Sequence, residues 1–150
     1  MGRVKLEVTS NLVAPHGDLR RLTSRVKLIG GAIVLDPNGS TFIAQLHPGQ
    51  KLDGRVDGQW CPGIGWPYYG PGGDPGTNYG NYHRFSCLIA SLEANGTVRG
   101  VIENDPKDGF EVINASTVDI FVHAGMCDDL YGDNINNPAD PMRVTKQFEG

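Results

Sequence analysis

Between Cys127 and Asp140 the chain gathers Asp128, Asp129, Asp133, Asn134, Asn136, Asn137 and Asp140 into 14 residues. Neither strand nor core packing calls for so many short oxygen-bearing side chains. Such oxygens are the donors of hard cations: calcium takes roughly six to eight of them at about 2.3–2.6 Å, mixing carboxylates, amide carbonyls and backbone carbonyls. The run Asp128-Asp129-Leu130-Tyr131-Gly132-Asp133-Asn134 offers all three kinds. Gly132 lets the backbone fold back, so that side chains on both sides of it converge while the carbonyl of Leu130 or Tyr131 points inward. The spacing is not that of an EF-hand, since no glutamate follows at the twelfth position. Zinc is disfavoured, because His123 is the single nearby imidazole. The competing reading is that Asp and Asn are common turn formers that only cap and solvate a loop.

A second segment, Cys61 to Tyr82, holds seven Gly, four Pro, four Tyr and one Trp in 22 residues. It is too glycine-rich for a strand and too aromatic for a flexible linker, which predicts an ordered functional loop. Trp60, Trp66, Tyr68, Tyr69, Tyr79, Tyr82 and Tyr131, all the tyrosines and tryptophans of the chain, lie in or beside these two segments. Aromatic rings suit the apolar C–H face of a sugar, and carboxylates, amides and a metal suit its hydroxyls. They equally suit the pinning of irregular backbone.

Catalytic signals are weak. His83 lies near Ser86 and Cys87, but Cys87 opens an apolar run and reads as a structural thiol. No GxSxG or HExxH occurs. Asp133 with Asp74 is the one carboxylate pair to weigh as a glycosidase acid and base. The expectation is a binding protein rather than an enzyme.

The elements that must position these residues read as β. Alternating apolar and polar residues over Val4–Val8 and Thr117–Val122 predict half-buried strands with one wet face, hence antiparallel sheets. Further strands are predicted at 25–28, 32–35, 41–46, 52–56, 87–92, 109–113 and 142–144. Turn signals at Asp36-Pro-Asn-Gly, His47-Pro-Gly, Asn95-Gly and Asn104-Asp-Pro separate most of them. No helical pattern is sustained, although Leu19 to Leu22 could start a short one. The reading is all-β: one antiparallel β-sandwich or jelly roll with long Gly-rich loops, spanning residues 1–150 as a single domain.

The 21 Gly and 10 Pro among 150 residues agree with many turns. With 13 basic against 17 acidic residues, a net charge of -4 and no basic cluster, nucleic acid is an unsuitable partner. No apolar run reaches the 18 residues that span a bilayer, and Met1-Gly2-Arg3-Val4-Lys5-Leu6-Glu7 lacks the apolar core of a signal peptide. This predicts no membrane insertion and synthesis in the cytoplasm, with secretion or surface exposure by another route left open. Cys61, Cys87 and Cys127 cannot all pair with one another and have no CxxC spacing, so free thiols are expected, one internal disulfide being the alternative.

The C-terminal third resembles the calcium-dependent galactose-binding bacterial lectins of the PA-IL (LecA) type, on Cys127-Asp128-Asp129, Tyr131, Asp133-Asn134 and the closing strand at Met142 to Val144. A second stretch agrees in order: Gly49-Gln-Lys-Leu, Gly58-Gln-Trp60-Cys61-Pro62, Asp74-Pro75-Gly76-Thr77 and Cys87 to Leu92. The resemblance covers about two-thirds of the chain and leaves residues 1–40 unmatched. It implies a calcium ion held by Asp128 or Asp129, by the carbonyl of Tyr131 or Leu130, and by Asp133 and Asn134, with a carbonyl near Pro62 completing the shell. It places Asp74 and Thr77 at the sugar, and implies a galactose-type glycan as partner and a homo-oligomer for avidity; Trp60, from the loop aromatics, and Asp133 and Asn134, which hold the ion that sugar hydroxyls coordinate, are the further sugar contacts expected. Asp74 stands here where the family has a histidine, and Cys127 where it has an asparagine.

Overall fold

The computed structural model describes residues 3–9, 31–128 and 131–150. Among them every regular element is a strand. A five-stranded sheet has the order β1 (Val4–Thr9), β10 (Phe110–Ala115), β4 (Lys51–Asp57), β13 (Arg143–Glu149), β2 (Ala32–Val34). A four-stranded sheet has the order β3 (Thr41–Leu46), β11 (Ile120–Met126), β8 (Cys87–Leu92), β9 (Val98–Glu103). Two ribbons complete the set: β5 (Trp60–Cys61) with β12 (Ile135–Asn136), and β6 (Asp74–Tyr79) with β7 (Tyr82–Arg84).

The two larger sheets enclose the core of a β-sandwich. Buried Val8, Leu52, Val56, Phe110, Val112 and Val144 come from one, and Ile43, Leu46, Ile89, Ile120, Val122 and Met126 from the other. Strict alternation of burial along β11 turns Ile120, Val122, Ala124 and Met126 inward, as the period of two requires. Gly54 lies under a ring: a Cβ there would stand 2.4 Å from Cζ of Phe110, so this strand position has no room for a side chain.

Three expectations need correction. The five-stranded sheet is not wholly antiparallel, because β1 runs parallel to β10. The expected strand at Thr117 begins at Ile120, since the Asn114 side chain receives the Ser116 amide at 3.0 Å and donates to the Val118 carbonyl at 2.8 Å, folding that stretch into a turn. The Gly-rich segment is not strandless: it contributes Cys61 of β5, the hairpin strand β6 and the start of β7. Val98–Glu103, passed over in the sequence, is an edge strand. The strand expected at 25–28 and the helix start at 19–22 lie outside the described residues.

Candidate functional site

The acidic segment divides into a structural half and an open half. In the structural half, Asn136 donates to the Leu35 carbonyl at 2.7 Å, Asn137 donates to Gln59 Oε1 at 3.0 Å, and Asp140 accepts from Arg143 at 2.6 Å. These side chains staple the last loop to its neighbours. Gly132 and Asn134 are held differently, from outside, by the turn at Asp36 to Gly39. Asn38 Oδ1 accepts the amides of Gly132 at 2.8 Å and Asn134 at 2.9 Å, and Asn38 Nδ2 donates to the Asn134 carbonyl at 2.9 Å. Asn134 Nδ2 donates to the Pro37 carbonyl at 2.7 Å, whereas its Oδ1 is buried and accepts no hydrogen bond. A buried acceptor left without a donor costs about 1–3 kcal/mol, so this oxygen is suited to a cation.

Asp133 is exposed beside the second loop. A Cβ on Gly63 would lie 2.9 Å from Asp133 Oδ2 and 3.4 Å from Trp66 Cδ1. Pro62 and Gly63 are buried, and the Gly63 carbonyl accepts from the Trp66 amide at 3.1 Å and from Cys61 Sγ at 2.8 Å. Among the described residues no three His, Cys, Asp or Glu side chains converge as a metal cluster. An ion here would therefore draw on amide and backbone oxygens, as calcium does.

Beside the acidic loop lies a cleft of about 360 Å³, lined by Tyr79 to Tyr82, Leu88, Cys127, Asp128 and Tyr131. Tyr79 and Tyr82 are opposed across the β6–β7 hairpin, which places both rings on one face. Gly80, at φ 63°, supplies the positive φ of the tight turn between them. His83 anchors the hairpin to β9, its amide donating to Glu103 Oε1 at 2.6 Å and its ring meeting Oε2 at 2.7 Å. Tyr131 donates its hydroxyl to the Met126 carbonyl, yet half its surface stays open. Burial, with the Asp128 carboxylate adding to it, raises its pKa, so the phenol keeps its proton. Asp128 is 8% exposed and is, among the described residues, the single carboxylate of the lining.

The Gly-rich loop is organised around Phe85, whose φ of 68° is rare for a bulky residue and stores about 1–3 kcal/mol of strain. Its ring meets Trp60 at 5.8 Å, Trp66 at 5.5 Å and Tyr69 at 4.8 Å between centroids, and its carbonyl accepts from Trp60 Nε1 at 3.2 Å. Trp60 is 0% exposed. It is therefore a core residue and not a sugar contact, because its ring has no open face.

Asp74 and Thr77 are joined in one turn. Asp74 Oδ1 accepts the Gly76 amide at 3.0 Å, and its Oδ2 accepts from Thr77 Oγ1 at 3.0 Å. The two close a turn on themselves, and neither lines the cleft. His83 pairs with Glu103 rather than with Cys87, whose thiol burial pushes up to about 12. Burial, then the nearby Glu103 charge, raises the Cys127 thiol as well. Cys61, Cys87 and Cys127 are all free. Asp129 lies outside the described residues. Asn38 was missed because Asp36-Pro-Asn-Gly reads as a turn, and nothing in a turn signal says which loop it will hold.

Comparison of the chain with protein-family models, with curated proteins and with solved structures gives no match.

Proposed function

We propose that this protein is a non-catalytic, calcium-dependent carbohydrate-binding protein that takes a galactose-type glycan in the cleft beside Asp128. The observation that carries the reading is this cleft: among the described residues three tyrosines, one carboxylate and no cationic side chain line it, next to a loop with a buried, unpartnered amide oxygen. Aromatic rings accept the C–H face of a pyranose, and Asp128 and Asn81 accept and donate to its hydroxyls. Asn134 Oδ1, Asp133 and a carboxylate of the Asp128-Asp129 pair would hold the ion, together with backbone oxygens at Tyr131 and near Pro62. When bound, the ion polarises and orients sugar hydroxyls. The resemblance to PA-IL-type lectins supports the same ligand set. Hydrolysis is not part of the proposal, because Asp74, the second carboxylate a glycosidase would need, spends both oxygens on its own turn.

Glycan binding measured with calcium and with EDTA tests the reading. Calcium at a hundredfold excess over its Kd should stabilise the fold by about 2.7 kcal/mol. Coincident melts in calcium and EDTA would remove the ion from the proposal, and turnover of chromogenic galactosides would overturn the non-catalytic part.

One observation favours a second reading, an assembly protein. Phe42 is half exposed and its ring lies 6.3 Å from that of Phe121, which points away from buried Ile120 and Val122. The four-stranded sheet thus carries apolar residues on its outer face, the kind of surface that self-associates. A large oligomer with no response to EDTA and no glycan binding would favour this reading, whereas a small oligomer that binds glycans would serve the avidity of the first.

A further inference from the structure

The tyrosine cleft uses Asp128 and Tyr131 of the acidic loop, and neither Asp133 nor Trp66 lines it. Asp133 and Trp66 instead flank one backbone point, at 2.9 Å and 3.4 Å from where a Gly63 side chain would begin. Trp66 is 47% exposed, in a loop that runs from Cys61 to Gly73 without a charged residue. It is nevertheless braced: the Phe85 ring meets it edge-on at 5.5 Å, and the Arg84 guanidinium lies 5.5 Å from its centroid. A half-open indole fixed in place beside a carboxylate presents an apolar surface and a hydroxyl acceptor together, the pair of features a pyranose ring offers in complement.

Gly132, at φ 112°, separates Tyr131 of the cleft from Asp133 of this second surface. The Cα atoms of Tyr131 and Asp133, two residues apart, are separated by at most about 7 Å, so one extended glycan has two attachment points close together along the chain. We infer that Trp66 and Asp133 form a second sugar subsite, so that the ligand is an oligosaccharide of at least two residues. The inference rests on the carbohydrate reading of the tyrosine cleft.

The test compares methyl galactoside with galactose-containing di- and trisaccharides, in millimolar calcium, by NMR titration that reaches millimolar Kd. Wild-type protein should bind the best disaccharide at least tenfold more tightly than the monosaccharide. Trp66→Ala should abolish that gain and leave monosaccharide affinity within twofold, while Trp66→Phe should restore part of it. A thermal melt of each variant separates a lost contact from a lost fold, and Trp66→Phe carries the test if Trp66→Ala fails to fold. Equal affinity for mono- and oligosaccharides, or a Trp66→Phe loss that falls equally on both, overturns the second subsite and leaves the cleft standing. Absence of binding to every saccharide overturns the cleft reading, and the subsite with it.

Discussion

Asp74–Thr77 and Asp128–Asn134 are both short, oxygen-rich loops, yet the structure uses their oxygens in opposite ways. Asp74 satisfies both carboxylate oxygens within three residues of itself, on Gly76 and Thr77. In the Asp128–Asn134 loop, Gly132 and Asn134 are held instead from 94 and 96 residues away by Asn38, which pairs their backbone and leaves Asn134 Oδ1 buried and unpartnered. A loop that consumes its own acceptors is a turn. One whose shape is fixed by a distant clamp, with acceptors left over, has them available for something else.

The clamp gives the largest expected effect. Asn38→Ala deletes three hydrogen bonds to Gly132 and Asn134, each with a net contribution of about 1 kcal/mol. Denaturant melts should show a loss of about 3 kcal/mol, and the calcium-dependent shift should disappear with it. A loss under about 1 kcal/mol would mean that the loop keeps its shape without the clamp, and the contrast would lose its basis.

Asp133→Ala comes next. Removing a charged ligand should weaken calcium at least tenfold, about 1.4 kcal/mol, with little change in the melt in EDTA because Asp133 is exposed. Calorimetry that finds unchanged calcium affinity would reduce the loop to a solvated turn. Tyr79→Ala should be smaller again: about 1 kcal/mol of glycan affinity, the scale of one aromatic contact, at unchanged calcium affinity. An intact glycan signal in Tyr79→Ala would move the sugar out of the cleft.

How far all this was legible depends on whether a residue's role is local. The alternation in Val4–Val8 and the apolar run Cys87–Leu92 became β1 and β8, because the period of two is imposed by the backbone itself. The parallel pairing of β1 with β10 joins residues over 100 positions apart, and no local pattern encodes it. The same limit separates the tryptophans. Trp60 and Trp66 sit six positions apart in similar company, but Trp60 faces the core and Trp66 does not. What sorts them comes from later segments: Trp60 pairs in β5 with Asn136 of β12 and donates its indole NH to the Phe85 carbonyl, whereas Trp66 meets the Phe85 ring edge-on from outside any strand. Asp74 and Thr77 could have been read locally, since Asp with Gly two positions on and Thr three on is an Asx-turn pattern. The resemblance drew attention to their place in the order of motifs rather than to this chemistry.

Asp74→Ala is therefore the smallest and most discriminating change. Both of the carboxylate's hydrogen bonds are short-range and lie at an exposed turn, so their joint loss should lower stability by about 0.5–1.5 kcal/mol, less than two ordinary hydrogen bonds, because water replaces the carboxylate at the freed amide and hydroxyl. The same substitution should leave calcium affinity unchanged. Glycan affinity should also hold within about twofold, since neither Asp74 nor Thr77 lines the cleft. The hairpin still bears on the outcome, because β6 carries Tyr79 as well as Asp74 and pairs with β7 through Tyr82. A fall in glycan affinity with the turn loosened would point to Tyr79 and Tyr82 losing their relative position. Thr77→Val distinguishes the cases: it removes the Oγ1 donor but leaves the Asp74 carboxylate in place. If Asp74→Ala weakens the glycan tenfold and Thr77→Val does not, then the carboxylate itself meets the sugar. Asp74 would then be a ligand-binding residue rather than a turn, and the distinction between the two loops would fail.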